Sequence, residues 1–244
     1  MTDENKIENS IIPTGSTGLV RVGNSISITN KLLNEIDEKK KSAPLKTTKI
    51  GNQIWMSENL NVEEFRNGDK LPFARTSEEW ERAGIMGEPI SAYYPIEDLS
   101  NNQKRIKLYN WYAINDPRCL APQGFHIPND QEWDELILYI DRNARKNIKG
   151  SQSAIAGNLL KSEKGWNENK NGLDKFGFNG SPTGSITAQG KSGAFNEWAF
   201  WWTASECSKD FAWIRYIHYK DDEILRTDYG KKIGFAVRCI KDYE

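Results

Sequence analysis

A chain of 244 residues is long enough for one large domain or two small ones, with a substantial buried core. Its 33 basic and 34 acidic residues leave a formal charge of −1, so no bulk field draws it to nucleic acid or to an anionic membrane. No apolar run approaches the length of a bilayer span, and the polar start MTDENKIENS does not read as a secretory signal. The expected setting is therefore the cytoplasm, or a larger particle such as a phage or injection apparatus that carries the chain.

A hydrophobic content of 37% and a mean hydropathy of −0.72 are low for a folded domain. Nine Trp, nine Tyr and nine Phe make up the deficit, because one indole buries far more area than a valine. The 19 Gly, with many Asn, Asp and Ser, predict long loops.

Residues 1–46 contain no aromatic residue and stand apart as an N-terminal segment. Within it, Leu19, Val20, Val22, Ile26 and Ile28 flank Gly23-Asn24 and predict a small hairpin, and Leu32, Leu33 and Ile36 fit one face of a short helix. Glu38 to Pro44 reads as a linker. The segment is too small to hold a core alone, so it is expected to dock on the main domain, or to bind a partner or a second copy.

Residues 47–244 form the main domain. Ile50 to Met56 predicts strand structure with a turn at Gly51-Asn52, and Thr76 or Ser77 caps a short helix carrying Trp80. The stretch HIPNDQEWDELILYIDRN is the clearest helix. Asn129 or Asp130 caps it after Pro128, and Trp133, Leu136, Ile137 and Ile140 fall at i, i+3, i+4 and i+7. Residues 146–196 read as long loops pinned by Trp166, Phe176 and Phe178. The runs FWWTASE, AWIRYIHY, EILRTDY and GFAVRCI predict closing antiparallel strands.

Six ordered stretches resemble the Fibrobacter succinogenes major paralogous domain: IGNQIWMSENLN, LYNWYAINDPRCLAPQGFHIPNDQEWDEL, LLKSEKGW, GLDKFGFNGSPTGS, WAFWWTASE and GFAVRCI. The resemblance implies an α+β, C-type-lectin-like fold, in which two helices flank a small twisted antiparallel sheet with long loops. HIPNDQEW is distantly similar to a helix of formylglycine-generating-enzyme relatives. Members of the family are mostly exported, which this polar N-terminus does not match. Many relatives have Cys-Pro where this chain has Ala121-Pro122, so a Cys119–Cys239 disulfide does not carry over, and reduced thiols are expected.

Catalytic chemistry is sparse. His126 is a candidate base or metal ligand, but has no carboxylate partner obvious from sequence and reads better as structural. Cys207 and Cys239 lie 32 positions apart (239 − 207) and lack the close pairing of the oxidase branch of the fold. Asp221-Asp222-Glu223 could hold a cation, but reads better as a solvated turn. No cofactor and no metal site is therefore expected, and the chain reads as a non-catalytic recognition module rather than an enzyme. Its partner is expected to be a protein or a second copy, held through residues 1–46 and the C-terminal sheet, with a glycan as the alternative ligand. The residues expected to bind are Trp213, Arg215, Tyr216, Tyr219, Asp222, Arg226 and Tyr229. Along AWIRYIHY, Trp213, Arg215, Ile217 and Tyr219 share one face and Ile214, Tyr216 and His218 the other, and neither face is plainly polar.

Overall fold

The structure, a computed structural model, describes residues 45–94 and 106–243. The hairpin and helix expected within residues 1–46 lie outside the described residues. The fold is α+β. Its strands are β1 (Thr47–Ile50), β2 (Gln53–Met56), β3 (Ser91–Tyr94), β4 (Ile106–Tyr109), β5 (Phe125–His126) and β6 (Gly150–Ser153). Then follow β7 (Ser185–Ile186), β8 (Ser192–Gly193), β9 (Trp198–Glu206), β10 (Phe211–His218), β11 (Ile224–Gly230) and β12 (Ile240–Lys241). The helices are α1 (Ser77–Met86), α2 (Trp111–Ile114), α3 (Asp130–Ile140) and α4 (Ala156–Leu160).

Two four-stranded sheets run β1-β2-β12-β5 and β6-β11-β10-β9, with two ribbons, β3-β4 and β7-β8. The expected single small sheet is thus two sheets. Residues 146–196 also hold more structure than expected, because β6 joins the second sheet beside β11 and α4 follows it.

Local chemistry fixes the two longer helices. Thr76 caps α1 by accepting from the Glu79 amide, and Gly87, at φ 71°, ends it in the left-handed region. At α3, Asn129 and Glu132 form a reciprocal capping box, which satisfies two amides that the first turn leaves open. Trp133, Leu136 and Ile137 then bury one face of α3.

Indoles fill the core as the composition requires. Trp55, Trp80, Trp133, Trp201 and Trp202 are all fully buried, removing on the order of 1,000 Å² from water. Trp55, Trp133, Trp201 and Phe178 interlock with ring centroids 4.8 to 5.9 Å apart. Residues 234–240 tie the molecule together. Gly234 bonds to Ile186, Phe235 to Tyr109, and Ala236 to Phe200 and Trp202, while the Val237 and Cys239 carbonyls accept from Leu60 and Met56.

Candidate functional site

Alternation along β9, β10 and β11 sorts their side chains onto two faces. The register pairs Arg215 with Trp201 and Arg226, and Tyr216 with Phe200 and Leu225. The first set turns toward α3, and the second turns away from it.

On the helix side, the Arg215 guanidinium donates to Asp130 at 2.7 Å and to Asp134 at 2.8 Å. Arg226 grips both oxygens of Asp130, at 2.9 and 2.7 Å, and stacks 3.3 Å from the Trp213 ring centroid. Gln152 donates to Asp134 at 2.6 Å, and the Asp130 amide donates to the Ser205 hydroxyl at 3.0 Å. Burial alone would push the Asp130 carboxyl up, but the two guanidiniums overrule it and hold it below the ordinary range. These charges are committed inside the protein.

The expected binding residues therefore do not form one platform. Arg215 is 0% exposed and Arg226 is buried, so both differ from the outward placement expected of them. Alternation alone could not say which face α3 covers. Trp213 lies under Arg226, and Tyr219 is buried with its hydroxyl donating to Glu168 at 3.2 Å. Asp222 is exposed in the turn between β10 and β11. In that turn, Lys161 points its ammonium at the Tyr219 and Asp221 carbonyls, at 3.3 and 2.9 Å, so a buried lysine already supplies positive charge beside Asp221-Asp222-Glu223.

Tyr216 and Tyr229 lie on the opposite face, which is only partly covered. Trp198 packs on His218, with centroids 4.1 Å apart, and lies 5.8 Å from Tyr216 and 5.7 Å from Phe200. Phe200 continues the cluster to Tyr229, which is 41% exposed. Trp198, Tyr216, His218 and Leu225 are each partly exposed. Sequence reasoning set His218 on the same face as Tyr216 but missed Trp198, Phe200 and Leu225 as its neighbours there. The alternation was visible, but the pairing of β9 and β11 with β10 was not.

His126 has two carboxylate partners that the sequence did not reveal. Its Nε2 lies 2.8 Å from Glu132 and its Nδ1 lies 2.7 Å from Asp242. Burial lowers its pKa, but bonds to Asp242 and Glu132 outweigh that and raise it. Among the described residues, no group of three or more His, Cys, Asp or Glu side chains is arranged to hold a metal ion. The three cysteines are free thiols. Cys119 and Cys207 are exposed, and burial pushes the Cys239 thiol up to about 12. No helix among the described residues is long and apolar enough to cross a membrane.

The profile of the Fibrobacter succinogenes major domain matches residues 48–241. The chain belongs to this family. In this Fibrobacter succinogenes major domain the matched span begins in β1 and ends at the last residue of β12, so it takes in both sheets and the aromatic face. No curated protein and no solved structure shows a significant match to the chain.

Proposed function

We propose that this Fibrobacter succinogenes major domain is a non-catalytic recognition module that binds a protein partner through the α3-distal face of β9–β11. One observation carries the reading: Trp198, Tyr216, His218, Leu225 and Tyr229 form a continuous, partly exposed cluster on a sheet whose other face is locked to α3. Aromatic side chains give large contact area at low entropy cost and dominate interface energetics. Asp222 is exposed in the turn that joins β10 to β11, and the buried Arg215–Asp130–Arg226 group holds the strands rigid beneath the face.

The arrangement supports a C-type-lectin-like reading of the fold. β2 and β12, from the two ends of the domain, pair with each other, and a capped helix backs the second sheet. Residues 1–46 act as an attachment or oligomerisation segment, and the module works in the cytoplasm or as part of a larger particle. Thiol oxidase chemistry has less support, because Cys239 is enclosed in the core with its proton held.

The test is site-specific photo-crosslinking in the cells that carry the gene, with the photoreactive residue placed at Tyr216 or Tyr229 and, as control, at exposed Ile85 on α1. One protein should be captured from both sheet positions and not from Ile85, and Trp198→Ala should abolish the capture. Equal capture from all three positions, or from none, overturns the reading.

A further inference from the structure

Just after β2, residues 58–61 run alongside the start of β4 and the loop at 179–181, and these segments line a half-open cavity of about 120 Å³. Glu58, Asn59, Asn61, Lys107, Asn179 and Ser181 contribute to its wall. We infer that this cavity is a second binding site, separate from the aromatic sheet face, and that it takes one ring of a neutral saccharide.

The wall offers polarity without spare charge. The Lys107 ammonium donates to the Val62 carbonyl at 2.9 Å, and Glu58 pairs with Lys46 at 2.9 Å. Arg238 lies behind the wall and spends its donors on the Met56, Phe178 and Asn179 carbonyls and on Asn59. An ionic ligand would find every nearby charge already engaged. The remaining groups are amides and a hydroxyl, the donor and acceptor mixture that sugar hydroxyls match.

Asn59 is held in a single orientation. Its Oδ1 accepts from Trp201 Nε1 at 3.0 Å and from Arg238 at 2.8 and 3.1 Å, so the amide cannot flip without breaking three bonds. Its Nδ2 makes no hydrogen bond among the described residues, and Asn59 lines the cavity. Asn61 Oδ1 meets only a long contact from the Tyr93 hydroxyl, at 3.5 Å, and keeps acceptor capacity. Rigid groups of this kind bind without an ordering cost.

Apolar surface adjoins the polar wall. Leu60 and Ile106 also line the cavity. A pyranose has polar edges and an apolar face, and amides beside aliphatic side chains complement both. The cavity is below the ~300 Å³ of an ordinary ligand pocket, so the occupant is a single ring inserted from one edge.

The experiment titrates the isotope-labelled full chain by NMR with the methyl glycosides of glucose, galactose, mannose and N-acetylglucosamine. One of the four should saturate, with a Kd on the order of 1 mM, and shift the amides of Asn59, Asn61, Asn179 and Ser181. Asn61→Ala and Ser181→Trp should each weaken it by roughly tenfold, about 1.4 kcal/mol. Should Ser181→Trp fail to fold, Asn61→Ala decides alone, since Asn61 makes only that long contact with Tyr93. No binding by any of the four, binding that survives both changes, or shifts centred on Tyr216–Tyr219 would overturn the inference.

Discussion

Asn59 and Arg238, 179 positions apart, meet where the Asn59 side-chain oxygen accepts two hydrogen bonds from the buried guanidinium, at 2.8 and 3.1 Å. Among the described residues, no carboxylate bonds Arg238 directly. Burial lowers its pKa to about 9 against the pull of Asp174, and its other partners are carbonyls, together with the Phe178 ring at 4.2 Å. Asn59→Leu would leave both the guanidinium and the Trp201 indole short of an acceptor. Chemical denaturation should show a loss of about 3 kcal/mol.

Asp130 is the shared anion of two buried guanidiniums. Asp130→Asn removes that charge while keeping the shape, and should cost about 3 kcal/mol because Arg226 and Arg215 stay buried. Its depressed pKa gives the pH signature. The contribution is complete above the ordinary value of 3.8 and fades as pH falls through the lower folded value. Denaturation midpoints from pH 5 downward should therefore fall more steeply in the wild type than in Asp130→Asn.

His126 works at the other end of the scale. Its pKa is raised in the folded state, so the stability it contributes is complete below 6.5 and is lost as pH rises through the higher folded value. The side chain is 36% exposed, and solvent screening keeps the effect to about 0.5–1 kcal/mol. His126→Gln should abolish a decline in stability that the wild type shows as pH rises above 6.5. An NMR titration of the imidazole would give the folded value directly.

Gly157 reverses the usual expectation for a helical glycine. Propensity alone would have Gly157→Ala stabilise α4 by about 1 kcal/mol. A Cβ there would collide with the Glu223 carbonyl, because α4 abuts the β10–β11 turn and the Asn158 amide donates to Asp222. Gly157→Ala should instead destabilise by about 2 kcal/mol and disturb the turn that carries Asp222, visible as shifted amide resonances at 219–223.

What the sequence revealed was local. The α3 helix was readable because its cap and apolar spacing lie within a dozen residues, and β9–β11 were readable because two-residue alternation needs no partner. The candidate surface was only half readable. Tyr216 and Tyr229 do lie on adjacent strands of one sheet, but Arg215 was placed with them because a sequence does not say that Asp130 and Asp134, 85 and 81 positions earlier, wait on the covered side. Of the two carboxylates on His126, Glu132 is six positions on, across the helix cap, and Asp242 is 116 positions away. Long-range pairing decides the placement of Arg215 and the Asp242 contact of His126, and one-dimensional periodicity carries no trace of it.

Since residues 234–240 bond to β2, β4, β7 and β9, the two sheets share a seam that can close only after β11 has been made. A ribosome that has delivered everything through β11 still holds a chain whose indoles have no lid and whose Asn59 has no guanidinium to hold. Maturation should then be an all-at-once event that waits for residues 234–240 to emerge, and removing that segment should send the product to proteases rather than yield a smaller working domain.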